Sequence, residues 1–186
     1  HNYEQHLRFV EATETEEEKV IYVDAGGGEN VFSEKNPSND SHYLRPPAKS
    51  YSLSFSESTY TLNFRSGDRL VFEKTDDGSL ARLVAQQDQA GNELTLDYTG
   101  DDLSLGLLRS VSHSAGQSLQ FAYPSPGVTT ISDWTGRVWT YEQDENNDLV
   151  AYTDPFEHQG QGRATVYEYF RNSLSSRLNH NLRSIR

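Results

Sequence analysis

Five segments of eight residues, each beginning with glycine, align along this sequence without a gap. They recur at intervals of about 20 to 26 residues, within the range typical of stacked structural repeats. A repeat of this length is one supersecondary unit, and it needs its neighbours to bury its apolar side. The segments are GDRLVFEK from Gly67, GNELTLDY from Gly91, GQSLQFAY from Gly116, GRVWTYEQ from Gly136 and GRATVYEY from Gly162.

Apolar and aromatic residues occupy alternate positions within each segment. The fifth residue after the glycine is apolar or aromatic every time, and the seventh is tyrosine in three segments. Because every second side chain of a strand points to the same face, the pattern predicts strands with one preferred buried face. The fifth positions are Phe72, Leu96, Phe121, Tyr141 and Tyr167, and the seventh-position tyrosines are Tyr98, Tyr123 and Tyr169.

A shorter apolar segment precedes each of the last four glycine segments and completes a hairpin with it. Its two apolar residues are three positions apart, a spacing that predicts a β-bulge or a strong twist. Turn-forming residues lie between the two strands, where Asp caps the turn and Gly adopts positive φ. The apolar pairs are Leu80 and Leu83, Leu108 and Val111, Val128 and Ile131, and Leu149 and Tyr152.

The first third of the chain has a different pattern. QHLRFVEA, KVIYVDA and ENVFSE predict three strands, NPSNDSHYLRPPAKS predicts a loop, and the alternation in YSLSFSESTYTLNF predicts two more strands. We therefore divide the chain into a lead-in β segment, 1–65, and about five tandem hairpin units, 66–186. Leu182 and Ile185 open a further unit that is truncated, and methionine is absent even at position 1. We expect a longer parent protein that continues past Arg186.

Composition limits the classes of function. The formal net charge of −12 argues against a nucleic-acid surface, since neutralising phosphates requires Lys and Arg. No apolar run approaches the roughly 20 residues of a membrane-spanning helix. Cysteine is absent, so thiol chemistry and disulfides are excluded. Hydrophobic content is 34%, with 11 Tyr and 8 Phe, which favours a thin aromatic layer over a thick aliphatic core.

The sequence supplies no catalytic or cofactor-binding set. Its six histidines are scattered without metal-ligand spacing, and nucleophile-elbow motifs are absent. DAGGGEN, from Asp24, lacks the Gly-Lys-Ser/Thr of a phosphate loop and is interpreted as a tight turn. DENNDL, from Asp144, begins like a calcium loop, but Leu149 and Pro155 replace its Gly and Glu, so a hairpin turn is favoured. We expect no enzyme activity, metal or cofactor.

Exposed aromatic residues leave a second class of function open. Trp and Tyr side chains on a sheet face can stack on sugar rings, which supports a carbohydrate-binding or adhesion module. Trp134, in the turn DWTG, is expected to be a turn residue, and Trp139, at an odd offset from its glycine, is expected to be buried.

These hairpins resemble the Rhs family of YD-repeat proteins. The family consensus, G-R-L-x-x-V-T-D-P-x-G-x-x-x-x-Y-x-Y-D, is matched best by NDLVAYTDPFEHQGQGRATVYEYF and GRVWTYEQDEN. TLNFRSGDRLVFEKTDDGSLARL resembles the stretch that leads into the family's repeats, and YEQHLRFVEA with VIYVDAGGGENVFSE resembles the segment upstream of it. The resemblance therefore covers nearly the whole chain. Gln143 replaces the expected tyrosine of one unit, and EHQGQG lengthens one turn.

The resemblance implies an all-β fold in which tandem antiparallel hairpins form a long curved sheet, one segment of a larger β-shell. In bacterial members the shell encloses a C-terminal toxin domain, and related shells occur in insecticidal toxin complexes and teneurins. It implies a secreted or cell-surface bacterial protein whose partners are the remaining shell and the enclosed toxin. In isolation, exposed strand edges should promote self-association.

Overall fold

A computed structural model describes residues 5–14, 18–99, 106–158, 164–171 and 180–186. Every strand pair that it gives is antiparallel, and most pairs are hairpins of consecutive strands, which confirms the all-β hairpin prediction. Residues divide into two compact units, 1–116 and 117–186. Each unit is described separately below.

Unit 1 consists of strands joined by short turns. They are β1 (His6–Val10), β2 (Lys19–Val23), β3 (Glu29–Phe32), β4 (Lys35–Asn36), β5 (Asn39–Tyr43), β6 (Tyr51–Ser56), β7 (Thr59–Phe64), β8 (Arg69–Lys74), β9 (Leu80–Gln87), β10 (Glu93–Tyr98) and β11 (Leu108–His113).

Strand β9 connects the lead-in strands of unit 1 to the repeat. One edge of β9 pairs with β8 along most of its length. On its other edge, Leu80–Arg82 pairs with β1 and Ala85–Gln87 pairs with β10. The eight residues of β9 are thus long enough to hold two partners end to end on one edge. Strands β2 and β3 continue from β1, whereas β7, β6 and β5 continue from β8.

The core of unit 1 joins side chains from the lead-in strands and from the first repeat strand. Alternation places Leu53 on β6 and Leu62 on β7 opposite each other, and both are fully buried. Phe72 on β8 is also fully buried and contacts the ring of Tyr22 on β2. Phe32 on β3 contacts Tyr43 on β5 and Tyr51 on β6, so the two ends of this run of strands share one core.

One prediction for the lead-in segment was wrong. NPSNDSHYLRPPAKS was predicted to be a loop, but it contains Asn39–Tyr43, strand β5, which pairs with β4 and at His42 with β6. The Asn36 side chain accepts a hydrogen bond from the Ser38 N–H and so forms the connecting turn. Polar side chains hide the strand pattern, because four of its five residues remain at least partly exposed.

Unit 2 consists of a hairpin series in which each strand pairs with the next one in the sequence. It contains β12 (Ser118–Ser125), β13 (Val128–Asp133), β14 (Val138–Gln143), β15 (Leu149–Thr153), α1 (Pro155–His158), β16 (Thr165–Tyr169) and β17 (Leu182–Ile185).

The one-turn helix α1 was not predicted from the sequence. Asp154 accepts a hydrogen bond from the Phe156 N–H at 2.9 Å, the geometry of a helix cap, and Pro155 occupies the first helical position. The dipeptide Asp154-Pro155 is therefore the sequence signal for α1, although the glycine-rich residues after it favoured a turn without a helix. Residues 159–163 and 172–179 lie outside the described part of the chain, and Gly162 is among them.

Candidate functional site

The same turn recurs between the strands of both units. An Asp carboxylate accepts hydrogen bonds from the N–H groups two and four residues later, and the residue three places later has positive φ. Both hydrogen bonds are present at Asp24, Asp88, Asp133 and Asp144, at 2.8–3.1 Å. The positive-φ residue is Gly27, Gly91, Gly136 and Asn147, respectively. The turn chemistry predicted from the sequence is therefore confirmed at these positions.

The predicted glycines Gly67 and Gly116 lie in turns of related geometry. Gly67 has φ of 98° and donates its N–H to the Phe64 carbonyl, while Gly116 has φ of 92° and donates to the His113 carbonyl. In the second turn, Nδ1 of His113 accepts the Ala115 N–H at 3.0 Å and so takes the place of the Asp. Its role in this structure is that of a turn cap.

Asp133 is the most enclosed of the turn carboxylates, with 1% of its side chain exposed. Burial raises its pKa, but hydrogen bonds from Thr135 and from Arg137 outweigh that effect and lower the pKa to about 2. The Arg137 Nε lies 2.7 Å from the Asp133 carboxylate, and its guanidinium stacks over the Trp139 ring at 5.5 Å. This turn thereby fixes an arginine against an indole.

Bulges interrupt the first strand of the hairpin units, as the three-residue spacing predicted. The extra residues are Arg109, Val150 and Arg183, each inside a predicted apolar pair. In the first unit, however, the bulged residue is Val84, directly after the pair Leu80 and Leu83. For Val128 and Ile131 the irregularity lies on the partner strand β12.

Two of the predicted tyrosines hydrogen bond to the carbonyl that precedes a bulge. The Tyr98 hydroxyl donates to the Leu83 carbonyl at 2.9 Å, and the Tyr169 hydroxyl donates to the Leu149 carbonyl at 2.8 Å. A bulge disrupts the local ladder, so a side-chain donor is useful there. Leu-Val-Ala occurs at both bulges, at 83–85 and 149–151, and this repeated tripeptide is the sequence signal for the contact.

In unit 1 the lead-in strands cover the apolar face of the repeat. Leu70, Phe72 and Tyr98 are 6%, 0% and 7% exposed, and Leu96 packs against the same core. The lead-in residues around them are Leu7, Val20 and Tyr22 among others. The first repeat positions therefore behave as ordinary core residues.

In unit 2 the equivalent face is much less covered. Directly paired residues of antiparallel strands point to the same side, so the ladders assign one common face to a row of large side chains. We call this the aromatic face. It consists of Leu119, Phe121, Ile131, Trp139, Tyr141, Tyr152, Tyr167, Tyr169, Leu182 and Ile185.

None of these ten side chains is fully buried, and Ile185 is 58% exposed. Among the described residues of unit 2, Asp133 alone is buried. The opposite face carries smaller and more polar residues, such as Gln120, Thr140 and Glu168. Tyr123, near the irregularity of β12, is half-buried, and burial raises the pKa of its hydroxyl.

A cavity of about 340 Å³ opens on unit 2 beside helix α1. We call it the aromatic pocket, and it is lined by Arg137, Trp139, Tyr152, Asp154, Pro155 and Phe156. Trp139 was expected to be buried but is only half-buried. Trp134 lies in the adjacent turn, 55% exposed, as the turn assignment predicted.

The loop that resembles a calcium site binds an arginine. One oxygen of Asp144 accepts the backbone N–H groups of Asn146 and Asp148, and the other pairs with the Arg171 guanidinium. Arg171 also pairs with Asp148, whose carboxylate lies 2.9 Å from Nδ1 of His180. Hydrogen bonds from His180 and Arg171 lower the pKa of Asp148. The guanidinium thus occupies the position where a cation would be expected.

Three other kinds of site were considered within the described ranges: a metal site, a membrane-spanning helix and a phosphate-binding loop. Among the residues that the structure describes, no group of three or more His, Asp or Glu side chains is placed to hold a metal ion. The helix that is described is far too short to cross a membrane. In the turn at Asp24, the Asp24 carboxylate accepts hydrogen bonds from the N–H groups of Gly26 and Gly28. These two N–H groups, which a phosphate loop would direct to a phosphate, are therefore bonded to a carboxylate of the same turn.

Comparisons with known proteins do not assign a family. No family model and no curated protein matches the chain. Among solved structures, a porin-like protein from Bacteroides uniformis is similar over 98% of this chain and 87% of its own, at 11% sequence identity and a TM-score of 0.41. A similarity this low carries no argument about function.

Proposed function

We propose that this chain is a non-catalytic segment of the wall of a β-shell, in a secreted bacterial protein of the Rhs or YD-repeat type. The shell would enclose a C-terminal effector domain. The observation that carries the proposal is the aromatic face of unit 2, a continuous row of large side chains that remain half-exposed. Burial of apolar surface stabilises by about 25 cal/mol per Å², so such a face favours a covering partner.

The repeated hairpin supports a structural role. Several hairpins contribute a turn held by an Asp carboxylate, and several contribute a strand pair bent at a bulge. Bulges increase the local twist and bend the strand, and repetition of such units extends a curved sheet. The recurring turns and bulges fix the conformation of the backbone. In the described residues, none of them brings a nucleophile and a base together.

Charge is compatible with this role. The polar face of unit 2 carries Glu142 and Glu168, and the chain has a net charge of −12. An acidic outer surface keeps a large sheet soluble, whereas the aromatic face would be directed towards the enclosed polypeptide. A second candidate, carbohydrate binding, is supported by the aromatic pocket and is developed below.

The proposal is tested on the natural polypeptide that contains this segment. We expect intact-mass measurement to find a chain longer than 186 residues, which retains a C-terminal effector fragment. That fragment should resist limited proteolysis while the shell is intact. A polypeptide without an effector, or an effector cut as rapidly as it is when free, would refute the enclosing role.

A matched pair of substitutions addresses the direction of the faces. Tyr141→Glu places a charge on the aromatic face, and Thr140→Glu places the same charge on the opposite face of the same strand. We expect Tyr141→Glu to make the effector accessible to protease and Thr140→Glu to leave it protected. Equal sensitivity of the two variants would contradict the assignment of the aromatic face to the interior.

The isolated chain should associate with itself, because half-exposed apolar side chains and strand edges favour pairing between copies. Leu182 and Ile185 on β17 are 47% and 58% exposed. Light scattering should show a mass that rises with protein concentration, and Ile185→Lys should reduce that rise. A constant monomer mass at high concentration would contradict this expectation.

A further inference from the structure

The aromatic pocket has the size and the composition of a ligand site. Its volume of about 340 Å³ lies within the range of small-molecule sites, about 300–1,000 Å³. Trp139, Tyr152 and Phe156 supply three aromatic surfaces, while Arg137 and Asp154 add polar groups to the lining. A donor and an acceptor beside aromatic rings restrict the class of ligand.

The rings of the pocket are held in place by their neighbours. The Tyr152 ring packs against the Tyr141 ring, with centroids 5.2 Å apart, and Arg137 stacks over the Trp139 indole at 5.5 Å. Arg137 is itself held by the buried Asp133 carboxylate. These contacts pre-organise Trp139 and Tyr152, which reduces the entropy that binding would otherwise cost.

The third ring projects from helix α1. Asp154 caps this helix at the Phe156 N–H, and the Phe156 side chain is 62% exposed. An exposed ring beside a pocket contributes little to the fold of unit 2, whereas a ligand between it and Trp139 would cover both. Substitution of Phe156 should therefore change ligand binding without changing the stability of the fold.

The lining excludes two ligand classes. A phosphate-bearing ligand needs uncompensated positive charge, but Arg137 is paired with Asp133, and Asp154 adds a second negative group beside it. A purely apolar ligand would remove water from the Arg137 and Asp154 side chains without replacing their hydrogen bonds. A neutral ring with an apolar C–H surface and peripheral hydroxyls satisfies both parts of the lining.

We propose that the aromatic pocket binds a pyranose ring of a neutral carbohydrate. One face of the sugar stacks on Trp139 and the other face on Phe156, and its hydroxyls exchange hydrogen bonds with Arg137 and Asp154. Two of the lining residues, Trp139 and Tyr152, also belong to the aromatic face, so the sugar would bind on the side of the sheet that the shell role directs to the interior. The test below uses this chain alone and therefore does not depend on the shell role.

The test uses the ¹⁵N-labelled chain, which has two tryptophans, Trp134 and Trp139. The variant Trp134→Phe identifies the indole N–H signal of Trp139. The probes are methyl β-glucopyranoside, methyl β-galactopyranoside and N-acetylglucosamine, with the linear polyol sorbitol as the control. We expect at least one pyranoside to shift the Trp139 signal saturably, while sorbitol leaves it unchanged.

Two phenylalanine variants test the position of the site. Phe156→Ala removes the ring at the pocket and should weaken binding about tenfold, which equals about 1.4 kcal/mol. Phe170→Ala removes a 39% exposed ring outside the pocket and should leave the affinity unchanged. Retention of the wild-type spectrum confirms that each variant is folded.

Three outcomes would overturn the proposal. One is the absence of a saturable shift with all three pyranosides, and another is an equal response to sorbitol. The third is an unchanged affinity in Phe156→Ala, which would place any sugar binding elsewhere on the chain.

Discussion

Removal of the Tyr98 hydroxyl tests whether the repeat tyrosines stabilise the bulges. Tyr98 is 7% exposed, and its hydroxyl donates to the Leu83 carbonyl at 2.9 Å, directly before the bulged Val84. Tyr98→Phe keeps the ring, including its stacking against Arg82, and removes this donor. A typical hydrogen bond contributes about 0.5–1.5 kcal/mol, and an unsatisfied buried carbonyl costs about 1–3 kcal/mol. We expect the free energy of unfolding to fall by about 1–2 kcal/mol.

Urea unfolding followed by far-UV circular dichroism measures this change. With a urea dependence of about 2 kcal/mol per M, within the usual range of about 1–3, the midpoint should decrease by about 0.5–1 M. Tyr60→Phe is the matched control, since Tyr60 is also 7% exposed, lies in unit 1, and its hydroxyl has no hydrogen-bond partner among the described residues. The reasoning is refuted if Tyr98→Phe leaves the midpoint unchanged, or if Tyr60→Phe lowers it equally.

Three further predictions concern turns and charges. Gly127→Ala should lower the free energy of unfolding by at least about 1 kcal/mol more than Gly91→Ala, as measured by urea unfolding. Both glycines have positive φ, but only at Gly127 would a Cβ overlap the Gln143 carbonyl oxygen. Asp133, whose pKa lies near 2 rather than the usual 3.8, contributes stability that is present above about pH 4 and lost as the pH falls towards 2. Asp133→Asn should therefore flatten the pH dependence of stability in that window, and an unchanged profile would contradict this. Calorimetric titration with Ca²⁺ should release no heat, because Arg171 already pairs with the loop carboxylates, and a saturable signal would show that metal displaces it.

Local features of the fold could be predicted from the sequence because they depend on near neighbours. The turn at Asp88 needs only its own carboxylate, two following N–H groups and the positive φ of Gly91. Strand alternation around Leu53 and Leu62 is equally local. Such elements carry their own signal, and the structure confirmed them.

Features that depend on distant partners could not be predicted. Strand β5 is polar in sequence and forms because β4 and β6 pair with it. The aromatic pocket requires the register of β14 against β15, which sets Trp139 beside Tyr152, and it also requires α1. The bulge at Val84 follows the predicted pair, because β9 shifts register where its partner on one edge changes from β1 to β10.

The two units show what the repeated segment determines and what it leaves open. Each segment encodes a turn, a strand and one aromatic side, yet Phe72 in unit 1 is fully buried while Phe121 and Tyr141 in unit 2 are not. The difference arises from the lead-in strands, which supply Leu7 and Val20 as a cover over the first repeats. The residues that bury the aromatic side of a repeat therefore lie outside the repeat itself. The face of unit 2, and not any cluster of titratable groups, is therefore the feature from which a function is best inferred.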